Sequence, residues 1–151
     1  MKVIDRAALD DLAAAAAAAP RRRSHRNLHD DLADPIQRLL MALETDTYVR
    51  PHRHPDKFEL FLLLSGRCTL LTFDDAGAVI ARIDLAEAGT RLVECPPGTW
   101  HTVLAEQSGS VVVEVKPGPY RPTAPEDFAG WAPAEGAPEV ADYLDRLRRG
   151  P

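Results

Sequence analysis

The sequence predicts a mainly β fold, a sandwich or barrel with one helix at each end. Three observations predict it. Short apolar runs recur between turn signals, about seven of them between residues 36 and 115. Thirteen prolines and nine glycines among 151 residues supply those turns. Helical signals are confined to the two ends of the chain.

Asp5 to Ala19 reads as a helix. Asp5 suits the N-cap, alanine is the best helix former, and Pro20 ends the run. Its small side chains bury little area, which predicts a surface position. The following "RRRSHRNLHDD" has no apolar period and reads as a solvated loop with a basic cluster. Ile36, Leu39, Leu40 and Leu43 fit a helical spacing, but the short length and the β neighbours favour a strand over 36–43. Further strands follow over 58–65, 68–73, 79–85, 91–94, 102–105 and 111–115. Beyond Lys116 the proline-rich "KPGPYRPTAPEDFAGWAPAEGAP" cannot support a ladder and should wrap the barrel, pinned by Phe128 and Trp131. A last helix is predicted over 138–149. Proline suits its first turn, Val140, Tyr143, Leu144 and Leu147 make one stripe, and Arg146, Arg148 and Arg149 suit its C-terminal end. The organisation is one domain in three parts: 1–35, an N-terminal helix and arm; 36–117, the β-barrel; 118–151, the wrap and C-terminal helix.

A formal charge of −5 argues against nucleic-acid or anionic-membrane partners, which are held by positive charge. No apolar run approaches a membrane span. The tract 12–19 follows three aspartates, where a signal peptide carries positive charge, so a cytoplasmic protein is expected. Cys68 and Cys95 lack a CxxC partner and read as reduced, buried thiols.

Chemistry concentrates in the histidines. "PHRHPDKFE" places His52 and His54 one residue apart between prolines that favour extended backbone. Extended residues two apart point the same way, so both imidazoles can grip one ion. A turn over Pro55–Asp56 would return the Glu59 carboxylate to the same place. A second stretch, "CPPGTWHTV", uses a proline–glycine turn to deliver His101 at the head of a strand. Tyr48 and Arg50 share parity with the histidines and face the same cavity if the strand is regular. Arg50 then suits a substrate carboxylate or phosphate, or else pairs with an acid at the barrel mouth. Trp100 should face away from the metal, Cys95 is expected to be inert, and His25 and His29 are expected on a surface loop, with a lid over the site as their alternative role. No Ser-His-Asp order or phosphate loop appears.

These residues resemble the cupins. "HRHPDKFELFLLLSG" is similar to their first motif, with His52, His54, Glu59 and Gly66, and "PPGTWH" to their second, with Pro96, Gly98 and His101. The resemblance implies a double-stranded β-helix, or jelly-roll, barrel with His52, His54, Glu59 and His101 as metal ligands. Over nearly the whole chain, "PRRRSHRNLH", "TYVRPHRHP", "FDDAG", "EVKPGPY" and "DFAGWAPAEG" further resemble the WbuC-type cupin-fold metalloproteins, which are associated with bacterial surface-polysaccharide gene sets. Lys116, in "EVKPGPY", joins Tyr48 and Arg50 as an expected substrate-binding residue.

Three imidazoles and a carboxylate suit one divalent transition metal ion, with Fe, Mn, Ni, Co and Zn all acceptable. The leading expectation is a metal-dependent enzyme, isomerase- or epimerase-like, acting on a small sugar-related or carboxylate substrate in polysaccharide biosynthesis, with Tyr48 as a candidate base. An Fe(II) dioxygenase is one alternative. A non-catalytic, metal-dependent sugar-binding or regulatory module, with a sugar or sugar nucleotide as its ligand, is another. Exposed strand edges leave a homodimer open.

Overall fold

A computed structural model describes residues 1–150. Helix α1 (Arg6–Ala18) starts where the Asp5 carboxylate accepts the Ala8 N–H at 3.0 Å. Although alanine-rich, it is not a bystander. Leu12 and Ala16 are buried and pack with Leu40, Ala42 and Val111 on the outer face of a sheet.

Eight strands follow, where the sequence predicts seven: β1 (Arg23–Asn27), β2 (Ile36–Leu43), β3 (Glu59–Ser65), β4 (Arg67–Phe73), β5 (Val79–Ala86), β6 (Leu92–Cys95), β7 (Trp100–Ala105) and β8 (Ser110–Pro117). They form a five-stranded sheet in the order β1-β2-β8-β3-β6 and a three-stranded sheet in the order β5-β4-β7, antiparallel throughout. The additional strand is β1, which lies inside the expected loop. Its backbone pairs with β2, Arg23 opposite Leu43 and Asn27 opposite Leu39. Ladder hydrogen bonds need no apolar side chains, so an all-polar segment can take an edge position.

The core between the sheets comprises Leu43, Phe61, Leu63, Cys68, Leu70, Leu85, Cys95, Val103 and Val112 with their neighbours. A second cluster covers the outer face of the three-stranded sheet. There Leu71, Phe73 and Leu104 meet Ala129 and Ala132 of the tail and Tyr143, Leu144 and Leu147 of α2 (Val140–Arg149). Covering both faces explains why β4 is apolar without strict alternation. Phe128 and Trp131 do anchor the tail: Phe128 bridges to His52, and the Trp131 ring stacks near Phe73 and Trp100.

Gly66 links β3 to β4 at φ +82°, and a Cβ there would lie 2.3 Å from Ser110 Oγ. The turn requires glycine for both reasons. No described helix is long and apolar enough to cross a membrane.

Candidate metal centre

The second turn sets His101. Gly98 takes φ +79° and its N–H donates to the His54 carbonyl at 2.8 Å, after which β7 begins at Trp100. His52 lies opposite His101 in an isolated bridge, each N–H donating to the other's carbonyl at 3.1 and 2.9 Å. Glu59 opens β3 and is paired with Cys95 of β6. These elements bring one ligand atom each from His52, His54, Glu59 and His101 within 4.8 Å of one another. Glu59 and His101 are each 2% exposed.

Hydrogen bonds fix the imidazole tautomers. Nδ1 of His52 lies 3.0 Å from the Arg50 carbonyl, and Nδ1 of His101 lies 2.9 Å from the Thr99 carbonyl. A carbonyl oxygen only accepts, so both Nδ1 atoms carry hydrogen and both Nε2 atoms present lone pairs. The His101 Nε2 stands 2.7 Å from Glu59 Oε2, itself a lone-pair atom when ionised. Two such atoms are compatible at that distance when a proton or a cation serves both. His54 Nε2 is buried with no hydrogen-bond partner, 3.5 Å from the same oxygen. Three nitrogens and one carboxylate, one nitrogen orphaned and two pre-oriented from behind, fit a divalent transition metal ion.

The charge balance suits that reading. Burial pushes the His52 imidazolium down to about 3, aided by His101 and opposed by Glu59, so this ring is neutral at neutral pH. Burial alone would raise Glu59, but His101, His54 and Lys116 together hold its carboxyl well below the usual range. Its Oε1 accepts from Lys116 Nζ at 2.8 Å, and the same ammonium donates to Glu114 Oε1 at 2.6 Å. Burial works against the Lys116 charge, but Glu114 and Glu59 outweigh it and hold the pKa above its ordinary value. Glu114 is the buried acid that carries the strain. Burial, then Glu59, pushes it up to about 8 despite Lys116.

Of the three expected substrate-binding residues, Lys116 is brought to the centre and two are not. Tyr48 packs in the second cluster, and its hydroxyl donates to the Pro133 carbonyl at 2.8 Å, so it is no base for this site. Arg50 lies over the Phe128 ring, 5.4 Å from its centroid, and donates to the Ala129 carbonyl rather than to an acid. The parity argument fails because residues 47–51 join no ladder, and side chains alternate strictly only along a regular strand. Trp100 points outward as expected, donating from Nε1 to Asp75 under the Arg53 guanidinium. Cys95 is buried beside Glu59, and burial, then that carboxylate, pushes its thiol up to about 12, consistent with inertness. His29 is buried rather than on a surface loop. Glu114 went unforeseen; its signal was one acid interrupting the valines of "VVVEVK" on the same face as Lys116.

A cavity of ≈ 690 Å³ reaches the centre at Lys116 and Glu114. A smaller cleft of ≈ 390 Å³ is lined by His54 together with Arg53, Lys57 and Arg121.

Comparison with known proteins places these features in context. The family model described as a domain of unknown function, DUF6016, matches residues 4–85, just over half of the chain. No curated protein matches. Among solved structures, the chain is similar to KdgF from Halomonas sp. (TM-score 0.54, 14% identity, covering 69% of this chain and 85% of that one). It is similar also to a conserved protein of unknown function from Streptococcus pyogenes (0.54, 15%, covering 80% and 90%). A third is a cupin superfamily protein from Desulfitobacterium hafniense (0.53, 17%, covering 70% and 86%).

Proposed function

The chain belongs to the DUF6016 family, a domain of unknown function here built as a small cupin β-barrel, and on that premise we propose that it is a metal-dependent enzyme acting on a small sugar-related or carboxylate substrate. His52, His54, Glu59 and His101 hold one divalent transition metal ion. One observation carries the reading: three imidazoles and one buried carboxylate each offer a ligand atom within 4.8 Å of one another, His52 and His101 with fixed tautomers and His54 Nε2 with no hydrogen-bond partner among the described residues.

When bound, such an ion supplies Lewis acidity toward a substrate oxygen, the chemistry of isomerases and epimerases that pass through enolates or alkoxides. The chain's own residues do the remainder. Backbone carbonyls of Arg50 and Thr99 aim the rings. Lys116 holds the second oxygen of Glu59 and leaves the first to the histidines. Lys116 also reaches the wall of the large cavity, beside the place a substrate would occupy. Surface-polysaccharide metabolism, in the manner of the WbuC-type proteins, is the setting that the sequence motifs support.

Elemental analysis of protein purified without added metal tests the centre. About one equivalent of a transition metal is expected, and His52→Ala should lose most of it, because an incomplete cage binds poorly. Equal metal in both proteins overturns the assignment. Product analysis by mass spectrometry after incubation with nucleotide sugars, with and without oxygen, then separates the chemistries. Turnover that needs oxygen replaces isomerisation with the Fe(II) dioxygenase reading, and tight binding without product replaces it with a sugar-binding module.

A further inference from the structure

The arm "RRRSHRNLH" is left unused by the metal centre, yet the fold does not leave it in solvent. Strand β1 places Arg23, His25 and Asn27 at alternate positions, and all three line the ≈ 690 Å³ cavity. Pairing sets Asn27 opposite Leu39 and Leu39 opposite Glu114, one row across three strands that spans about 10 Å. One step along β2, Gln37 lies opposite Lys116. The inner face of β1-β2-β8 is therefore a continuous wall from the arm to the residue that touches Glu59.

We infer that this wall binds the anionic group of a small hydroxylated ligand, a carboxylate or a phosphate, with β1 supplying the residues that select it. The volume is in the range of small-molecule sites. The inward polar groups are mostly donors. Arg21 and Arg23 share the single carboxylate of Glu135, which leaves the rim one positive charge in excess. His25 and Asn27 are exposed toward the cavity, and among the described residues their side chains have no hydrogen-bond partner. His29 continues the alternation and is 5% exposed. Arg38 N–H donates to its Nδ1 at 3.0 Å, and the Arg38 carbonyl, 2.9 Å from the same nitrogen, already accepts from Leu28 N–H. Its Nε2 is a buried atom with no hydrogen-bond partner among the described residues. Glu114 is the one carboxylate on the wall, and Lys116 covers it.

The use of the ligand rests on the enzymatic reading above; its binding does not. Calorimetric titration of the full chain with glucuronate, glucose 6-phosphate and glucose, each with and without bound metal, tests the wall. At least one anion should bind about tenfold more tightly than glucose, in the metal-free protein as well. The double variant His25→Ala/Asn27→Ala should weaken that anion by about tenfold and leave metal content unchanged. The preferred arm tells carboxylate from phosphate. Equal affinity for glucose, no binding of either anion, or full affinity in the double variant overturns the inference, while metal content in the same samples reports separately on the centre.

Discussion

Lys116 stands between two buried carboxylates, and one ammonium cannot neutralise both. Glu59 takes the charge because His101 and His54 also favour its ionised form, and Glu114 keeps its proton up to about pH 8. The sign of the stability effect follows. In the unfolded chain Glu114 ionises near its ordinary 4.5; folded, it holds the proton to about 8. Between those values the folded state binds more protons, so its advantage shrinks as pH rises. In metal-free protein, Glu114→Gln should therefore gain stability relative to the native chain from about pH 5 to about pH 8, by up to about 1.4 kcal/mol per pH unit. Urea denaturation across that window measures it, and a pH-independent difference between the two proteins would refute it. The four clustered residues were legible in the sequence because spacing and proline turns fix local direction. Tyr48 and Arg50 were not, because parity holds only along a regular strand and residues 47–51 join no ladder, and Glu114 was passed over because Glu59, which competes with it for Lys116, arrives on β3.

Two elements show what a glycine and a polar strand contribute. Gly66 closes the β3–β4 turn against Ser110, whose Cα would lie 2.9 Å from an added Cβ. Gly66→Ala should lower stability by about 3 kcal/mol, combining backbone strain with a backbone clash. Gly98→Ala, with φ also positive but open space around it, should cost only about 1 kcal/mol. Chemical denaturation compares them; equal losses would show that Ser110 contact is not the cause. Most strands were readable because apolar runs alternate with turns. Strand β1 was not, since apolar periodicity was the signal sought and its period of two is written in arginine, histidine and asparagine. The same alternation, Arg23, His25, Asn27 and His29, was present in polar residues and marks a wall rather than a core.

At the scale of the molecule, the candidate ligands come from both layers. Glu59 belongs to the five-stranded sheet, His101 to the three-stranded one, and His52 and His54 to the β2–β3 connection, which bridges to His101 at His52. An ion bound only by the folded chain stabilises it by mass action, about 2.7 kcal/mol at a hundredfold excess over Kd. For a chain of this size that raises Tm by roughly 5–10 °C. Calorimetric melting with added divalent metal against a chelator should show the shift, and His52→Ala should abolish it; an identical shift in the variant would place the ion elsewhere. Turn signals, strand patterning and a composition shift after Lys116 led to the expected three-part division, and β1 extends the sheet into its first part. What composition could not convey is that Arg21 and Arg23 near one end and Glu135 near the other are joined by paired hydrogen bonds. Such contacts depend on topology, which a linear reading does not supply.

No ladder joins a strand of one sheet to a strand of the other, so the layers are set against each other by the Gly66 link, the Ser110–Arg67 hydrogen bonds and contacts across the core. The 2.7 Å contact between Glu59 and His101 is a further constraint, deep between the sheets. A slip of one residue in either β3 or β7 would turn its ring or carboxylate to the opposite face. The histidine–carboxylate cluster thus helps index one layer to the other before any chemistry is asked of it.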